Sequence, residues 1–313
     1  MQGRSWRTKP VQGGAVDHHD TIQLEAFELA LDDIAGADIE KLHALSVGVG
    51  WPHRPKDWQM LLDNGNGVVA VDSIGRLAGS AMWFDFGSSF STIGMVITPP
   101  RLQARGAGSW MMLHVMQQAG KRQFGLNATR AAKRLYQSMG FAIEKTVFQC
   151  QGEATPVAAP LLSGGATLRP LASGDVAAIL ALDAKAFGAS RETLFKSLLP
   201  VSKGIVLVRG QRIEAFSLCR RFGRGALIGP VVALNEADAM AVTHPHVVDH
   251  AGQFLRLDTR EESGAFPQYL ARSGIAVFDT VTTMSLGGRW MQESEDPQGL
   301  EPKTWALASQ AFG

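Results

Sequence analysis

The chain has 313 residues, a formal net charge of +1, and 45% hydrophobic against 19% charged residues. That is an ordinary globular balance, with length enough for two domains. The near-neutral charge excludes the strong basic field of a nucleic-acid binder, and no apolar run reaches the roughly 18 residues of a membrane span, so neither nucleic acid nor membrane is an expected partner.

Residues 1–20 read as an N-terminal arm, because no apolar stretch follows the basic residues of MQGRSWRTKP as a secretory signal requires. IQLEAFELALD alternates like a strand, and DIAGADIEKLHALS carries Ile34, Ile39, Leu42 and Leu45 at helical spacing. VGVGWPHRPKDWQMLLDNG reads as a loop followed by a short helix that stops at Gly65 or Gly67. GVVAVDSIGRLAGSAMWFDFG reads as two strands around a turn near Ser73 to Gly75, and FSTIGMVITPP as a strand stopped by two prolines. After RLQARGAGSW come a helix (SWMMLHVMQQAGK), a strand (QFGLNATR), a helix closed by Gly140 (AAKRLYQSMG) and a strand (FAIEKTVFQCQG). The methionines of SWMMLHVMQ read as core.

The glycine turn at residues 101–110 makes physical sense as an anion site. The first N–H groups of a helix have no intrahelical partner, and the helix dipole adds positive potential. Gly106 and Gly108 let the backbone approach a phosphate closely, and Arg101 and Arg105 add charge. The spacing matches neither a Walker loop nor a dinucleotide fingerprint. Downstream, Tyr136 is one of only two tyrosines against 15 phenylalanines, so its hydroxyl raises the prospect of a proton donor.

Gln103-Ala104-Arg105-Gly106-Ala107-Gly108, with Pro100 ahead of it, resembles the acyl-CoA loop Q/R-x-x-G-x-G/A of the GCN5-related N-acetyltransferases. ATRAAKRLYQSMGF is similar to that family's A-x-x-L-Y-x-x-x-G-F segment, and the resemblance spans about residues 25 to 150. It implies that Val96, Ile97 and Thr98 pair their backbone with the pantetheine arm. It implies that N–H groups of Ala104 to Ser109 hold the pyrophosphate and that Tyr136 protonates the departing thiolate. Many members have Asn seven positions before that Tyr. Here Thr129 stands there, with Asn127 two residues earlier, and either could contact the cofactor arm. The general base is open between Asp85, whose strand alternation could aim it into the cleft, and a water relay. Asp85 is also a candidate acceptor contact. The loop holding Trp51, His53 and Arg54 falls where the family often covers the acceptor, although a Trp beside Pro also packs as a plug.

Residues 153–166 are rich in Gly, Ala and Pro and read as a linker. Beyond it the pattern restarts. GIVLVRGQRIEAFSLCRRFG mirrors GVVAVDSIGRLAGSAMWFDFG, and FLRLDTREESGAFPQYLARSGI mirrors FGLNATRAAKRLYQSMGF. Gly67 to Gly204 is an offset of 137 and Gly140 to Gly274 one of 134, as a duplicated fold requires. The second copy has Glu236 and Asp238 where phosphates would sit. Its Tyr269 is five residues before Gly274 instead of four, about 100° around the helix.

The expected architecture is therefore a tandem α/β fold (an α+β mixed sheet), each half a mostly antiparallel sheet with flanking helices. Its expected parts are an arm (1–20), a catalytic domain (21–152), a linker (153–166), a degenerate domain (167–288) and a tail (289–313). The second half would stabilise the first or wall its acceptor pocket. The expected activity is transfer of an acyl group, acetyl first, from acetyl-CoA to a small amine or amino acid derivative. The alternatives are a peptide N-terminus as acceptor and a non-catalytic acyl-CoA sensor. Cys150 and Cys219 lack metal or redox spacing, which suits a reduced cytoplasmic protein. His18, His19, His244 and His246 show no third ligand and read as surface residues, so no metal is expected. A homodimer is left open.

Overall fold

The computed structural model of the protein describes residues 21–24, 27–103, 106–120, 123–290 and 301–313. The first half runs β1 (Thr21–Leu24), β2 (Phe27–Asp33), α1 (Ile39–Gly48), α2 (Pro55–Asn64), β3 (Asn66–Asp72), β4 (Leu77–Phe86), β5 (Phe90–Ile97), α3 (Ala107–Ala119), β6 (Gln123–Ala128), α4 (Lys133–Ser138) and β7 (Ala142–Glu153). The segment IQLEAFELALD, expected as one strand, forms two that pair antiparallel.

The second half runs β8 (Thr167–Pro170), α5 (Val176–Phe187), α6 (Glu192–Leu198), β9 (Ser202–Arg209), β10 (Arg212–Phe222), β11 (Gly225–Ala233), α7 (Glu236–Asp249), β12 (Phe254–Thr259), α8 (Ala265–Arg272) and β13 (Ala276–Leu286). From β9 to β13 it repeats the order of β3 to β7. The stretch read as a tail supplies a further strand, β14 (Lys303–Ala306).

Helix ends follow local chemistry. The Asp38 carboxylate accepts from Glu40 N–H to start α1, and Asn235 does the same for Asp238 N–H at α7. Pro55 opens α2, where its missing N–H has no consequence.

The two halves share one sheet of 14 strands in the order β1-β2-β3-β4-β5-β6-β13-β7-β12-β11-β10-β9-β8, with β14 added on β11. The last strand of each half is exchanged. β13 pairs with β6, β7 pairs with β12, and β7 and β13 pair with each other, all antiparallel. Each half therefore completes the other's ladder, and neither sheet is whole alone. On one face α1 and α2 of the first half and α5 and α6 of the second share a single apolar core that includes Trp58, Phe84, Phe195 and Phe216. On the other face α3 covers the first half, with Met111 and Met112 fully buried, and α7 and α8 cover the second.

His246 corrects an expectation: it is fully buried on α7, and its Nε2 lies 2.9 Å from Ser217 Oγ. That hydroxyl donates its one hydrogen to Val242 O at 2.7 Å, so Nε2 carries the imidazole proton. Nδ1 is buried without a hydrogen-bond partner. Burial pushes the pKa of His246 down to about 4 from 6.5, with Asp249 opposing and His250 and Lys203 reinforcing. Below pH 6.5 the unfolded chain takes up a proton here that the folded chain refuses, so stability is lost as pH falls from 6.5 to 4, by about 3 kcal/mol. Urea unfolding at pH 7 and pH 4.5 checks this. The drop in stability will be smaller in His246→Gln than in the wild type, and equal drops would show that His246 does not carry the effect. His244 is half-buried, 3.2 Å from the Tyr269 hydroxyl. His18 and His19 lie outside the described residues.

Candidate active site

The glycine turn sits where a parallel strand pair comes apart. β5 and β6 are paired from Phe90↔Gln123 to Ile93↔Leu126 and no further, although β5 continues to Ile97 and β6 to Ala128. Across from β4 the register jumps between Ser80↔Ile97 and Met82↔Gly94, so Ala81 faces both Met95 and Val96 in a bulge. Met95 adopts φ 51°, a left-handed conformation that a non-glycine residue rarely takes, and its carbonyl accepts from Ser80 Oγ at 2.8 Å. The backbone from Gly94 to Ile97 thus has no ladder partner on its β6 side, an opening for an extended ligand arm to pair as a strand would.

Beyond β5, Pro99 and Pro100 end the strand, and Gln103 Nε2 donates to Thr98 O at 2.9 Å. Gly106 caps α3 with φ 95°, in the left-handed region that favours glycine. Gly108 is the point of closest approach. A Cβ there would lie 3.3 Å from Leu135 Cδ2 and 3.4 Å from Thr98 Oγ1, so the end of β5, the start of α3 and α4 converge on it. Ala107 begins the helix and Ser109 Oγ donates to Gly106 O at 3.0 Å. The N–H groups of this first helical turn suit a phosphate. Ala104 and Arg105 lie outside the described residues.

Tyr136 is 5% exposed on α4, its ring 5.9 Å from that of Phe141. Burial raises its pKa above the ordinary phenol value, so the hydroxyl keeps its proton at neutral pH. Both polar residues before it make hydrogen bonds of their own. Asn127 donates from Nδ2 to Gln310 O at 2.8 Å and accepts from Thr283 Oγ1 at 2.8 Å. Its amide therefore ties β6 to β13 and to segment 307–313, with one Nδ2 hydrogen left over. Thr129 Oγ1 accepts from Ala132 N–H at 3.4 Å in the turn before α4.

Asp85 does not join this site. It is exposed near the β4–β5 turn, opposite Ser91, which donates to it at 2.7 Å. Phe84 and Phe86 on either side point into the core, so alternation turns Asp85 away from it, and its position lies at the far end of β5 from the opening. The assignments of Asp85 as base and as acceptor contact are both withdrawn.

A cavity of about 190 Å³ opens beside the parting of β5 and β6. Trp51 and His53 from the α1–α2 loop line it, as do Gly94 and Met95 of β5, Asn127 and Thr129. Its other walls come from the second half: Arg220 and Phe222 of β10, Arg256 and Asp258 of β12, Phe278 of β13, and Ser309 to Phe312. His53 Nδ1 is buried without a hydrogen-bond partner, and burial pushes the pKa of His53 down to about 4, so its imidazole is neutral at pH 7. The rim is pinned across the two halves. Arg54 binds Asp57 through Nε at 2.9 Å and Nη2 at 2.7 Å, and Asp57 also accepts from Gly223 N–H at 3.0 Å.

The corresponding opening in the second half is closed. β11 and β12 pair in parallel only from Ala226↔Leu255 to Ile228↔Leu257, and β14 fills the space beyond, antiparallel on β11. Thr259 Oγ1 donates to Trp305 O at 2.6 Å, and Leu307 N–H to Asp258 O at 2.8 Å. At the start of α7, Glu236 accepts from Phe266 N–H at 2.7 Å and blocks any Cβ at Gly264. Asp238 is bound by Arg209 at 2.7 and 2.8 Å. Carboxylates thus occupy the helix start where the first half leaves N–H groups open. Among the described residues no group of three or more His, Cys, Asp or Glu is placed to hold a metal, and no helix is long and apolar enough to cross a membrane.

This is a doubled fold with one open and one filled cleft, and the comparisons give its family. Residues 38–141 match the acetyltransferase (GNAT) family, and residues 179–298 match an acetyltransferase (GNAT) domain. The chain is a two-domain member of the GNAT acetyltransferase family. In structure it is similar to a candidate acetyltransferase from Pyrococcus horikoshii, with TM-score 0.72 and 16% identity over 95% of this chain and 99% of that one. It is also similar to a tandem GNAT protein from the clavulanic acid biosynthesis pathway, with TM-score 0.61 and 12% identity over 84% of this chain and all of that one. A GCN5-related N-acetyltransferase from Sphaerobacter thermophilus aligns with TM-score 0.53 and 17% identity, over 82% of this chain and 95% of that one. No curated protein matches the chain in sequence.

Sequence reasoning missed Arg220, Arg256 and segment 307–313. Their signal is absent from any local motif, because they reach the cavity only through strand exchange and the return of the chain after β13.

Proposed function

We propose that the chain is an acyl-CoA-dependent N-acyltransferase, acetyl-CoA its first candidate donor, acting on a small amine or amino acid derivative. The observation that carries this reading is the asymmetry of the two clefts. The first half keeps an open strand parting and a glycine-capped helix start, with Leu135, next to Tyr136 on α4, against Gly108, whereas the second half fills the corresponding places with its own β14 and carboxylates. Bound acyl-CoA supplies an activated acyl group and a thiolate leaving group. The first N–H groups of α3 hold its phosphates, and the backbone of residues 96–98 holds its arm. Tyr136 keeps a proton for the departing sulfur. His53, neutral and facing the cavity from the α1–α2 loop, can accept a hydrogen bond from the acceptor amine.

A cavity of this size, walled by both halves, favours a small acceptor over a peptide N-terminus, which needs an open groove. Calorimetric titration with acetyl-CoA tests the reading, with one molecule expected per chain. Two per chain would mean the second cleft opens, and no binding would remove the transferase reading.

A further inference from the structure

Three carboxylates line the cavity: Asp279 is exposed and accepts from Thr280 N–H, whereas Asp57 and Asp258 are buried. Asp57 is held by Arg54, and Asp258 is held by Arg256 through Nε at 3.0 Å and Nη2 at 2.8 Å. Each of these carboxylates already has its guanidinium. Arg220, 4% exposed, has none: its hydrogen bonds go to two carbonyls, Gly229 O at 3.0 Å and Ala308 O at 2.7 Å, and it makes no ion pair with any described residue. Burial lowers its pKa only to about 10, so it stays charged at neutral pH. Two carbonyls use two of its five donors. Asp57 and Asp258 act on it through space, but each is hydrogen-bonded to another guanidinium. A buried cation without a bonded carboxylate is unfavourable, and bracing two carbonyls does not require a cation.

Arg220 and the strand parting are close. Arg220 binds Ala308 O, and Ala311, three residues on, abuts Gly94, where a Cβ would lie 3.0 Å from its own. Three residues span at most about 10 Å. A small molecule in the cavity therefore has both the guanidinium and the open backbone of β5 within reach.

We propose that the acceptor carries a carboxylate beside its amine, as an α-amino acid does, with the carboxylate held by Arg220. This rests on the transferase reading above. It makes the acceptor an amino acid with a free carboxyl group, as distinct from a simple amine or the N-terminus of a long peptide. Guanidinium recognises carboxylate through paired N–H donors, a geometry that a carboxamide, with one oxygen and its own donors, cannot satisfy.

The test uses the full chain, acetyl-CoA, and a panel of α-amino acids, each beside its carboxamide and its decarboxylated amine, with thiol release as readout. At least one free acid is expected to turn over with kcat/KM about tenfold or more above its carboxamide and amine. Arg220→Lys, checked for retained acetyl-CoA binding, is expected to raise KM for that acid about tenfold while narrowing its advantage. Equal use of acids, carboxamides and amines would overturn the carboxylate inference and leave the transferase reading standing. The same holds for Arg220→Lys with unchanged KM. Absence of acetyl-CoA binding and of thiol release with every acceptor would overturn both.

Discussion

Replacing Tyr136 by phenylalanine will lower turnover by about a hundredfold or more while leaving acetyl-CoA affinity within about twofold. The substitution removes one oxygen from a ring that stays packed on Phe141, and among the described residues nothing hydrogen-bonds to that oxygen. Stability should therefore change by less than about 1 kcal/mol, so that a loss of rate cannot be a loss of fold. The hydroxyl is well suited to give a proton and poorly suited to take one, because burial keeps it neutral. The rate loss belongs in kcat, since the affected step follows binding of both substrates. Steady-state thiol release gives kcat, and calorimetry gives the acetyl-CoA dissociation constant. An unchanged kcat in Tyr136→Phe would remove this residue from the mechanism, and weaker acetyl-CoA binding with unchanged kcat would make it a packing residue.

The parts of this site that were legible in the sequence are local in the chain. A glycine pair between two prolines and a helix, or Leu135-Tyr136 four residues before Gly140, are fixed by spacings of under ten residues, and backbone geometry makes such spacings mean something. The repeat was legible for the same reason, because each half carries its own strand, helix and turn signals in the same order. Glu236 and Asp238 read as acidic residues where phosphates would sit, and the structure places them in the first turn of α7, bound by Phe266 N–H and Arg209.

What could not be read is non-local. Asp85 looked like a cleft residue because alternation along a strand gives a face without saying where along the sheet the cleft lies. Asn127 and Thr129 were both open as contacts of the cofactor arm, and the hold of the Asn127 amide on Gln310, 183 residues away in sequence, was not legible. Reciprocal exchange of β7 and β13 leaves no mark on either strand, since both would read alike in an unexchanged pair of domains. His246 read as a surface residue because no third metal ligand accompanies it, yet α7 lies over β10 and buries it against Ser217. Each misreading follows from tertiary context overriding a local pattern.

Deleting residues 303–313 will abolish cooperative folding of the chain, an effect larger than that of any single substitution considered above. The segment serves both clefts in succession. β14 closes the second half between β11 and β12, and the residues after it wall the cavity of the first. Trp305 is 7% exposed, Leu307 0% and Phe312 2%, with the Phe312 ring edge-on to Phe84 at 4.8 Å between centroids. Truncating three such side chains removes about 10 kcal/mol of packing, which is comparable to the whole stability of a typical domain.

The deletion also strips acceptors from two buried guanidiniums. Arg191 donates to Gly313 O at 2.6 Å and is held by Asp183, and Arg220 donates to Ala308 O at 2.7 Å. Without the segment those donors face an empty cleft, which adds to the loss. Phe312→Ala is the graded version and should lower stability by about 3–5 kcal/mol with the fold retained. Urea unfolding followed by tryptophan fluorescence reads both variants. A truncated chain with the wild-type midpoint and one acetyl-CoA bound would show that the segment is an appendage. A broad transition, with acetyl-CoA binding lost, would show that both halves depend on the strand that the second half lays into its own cleft.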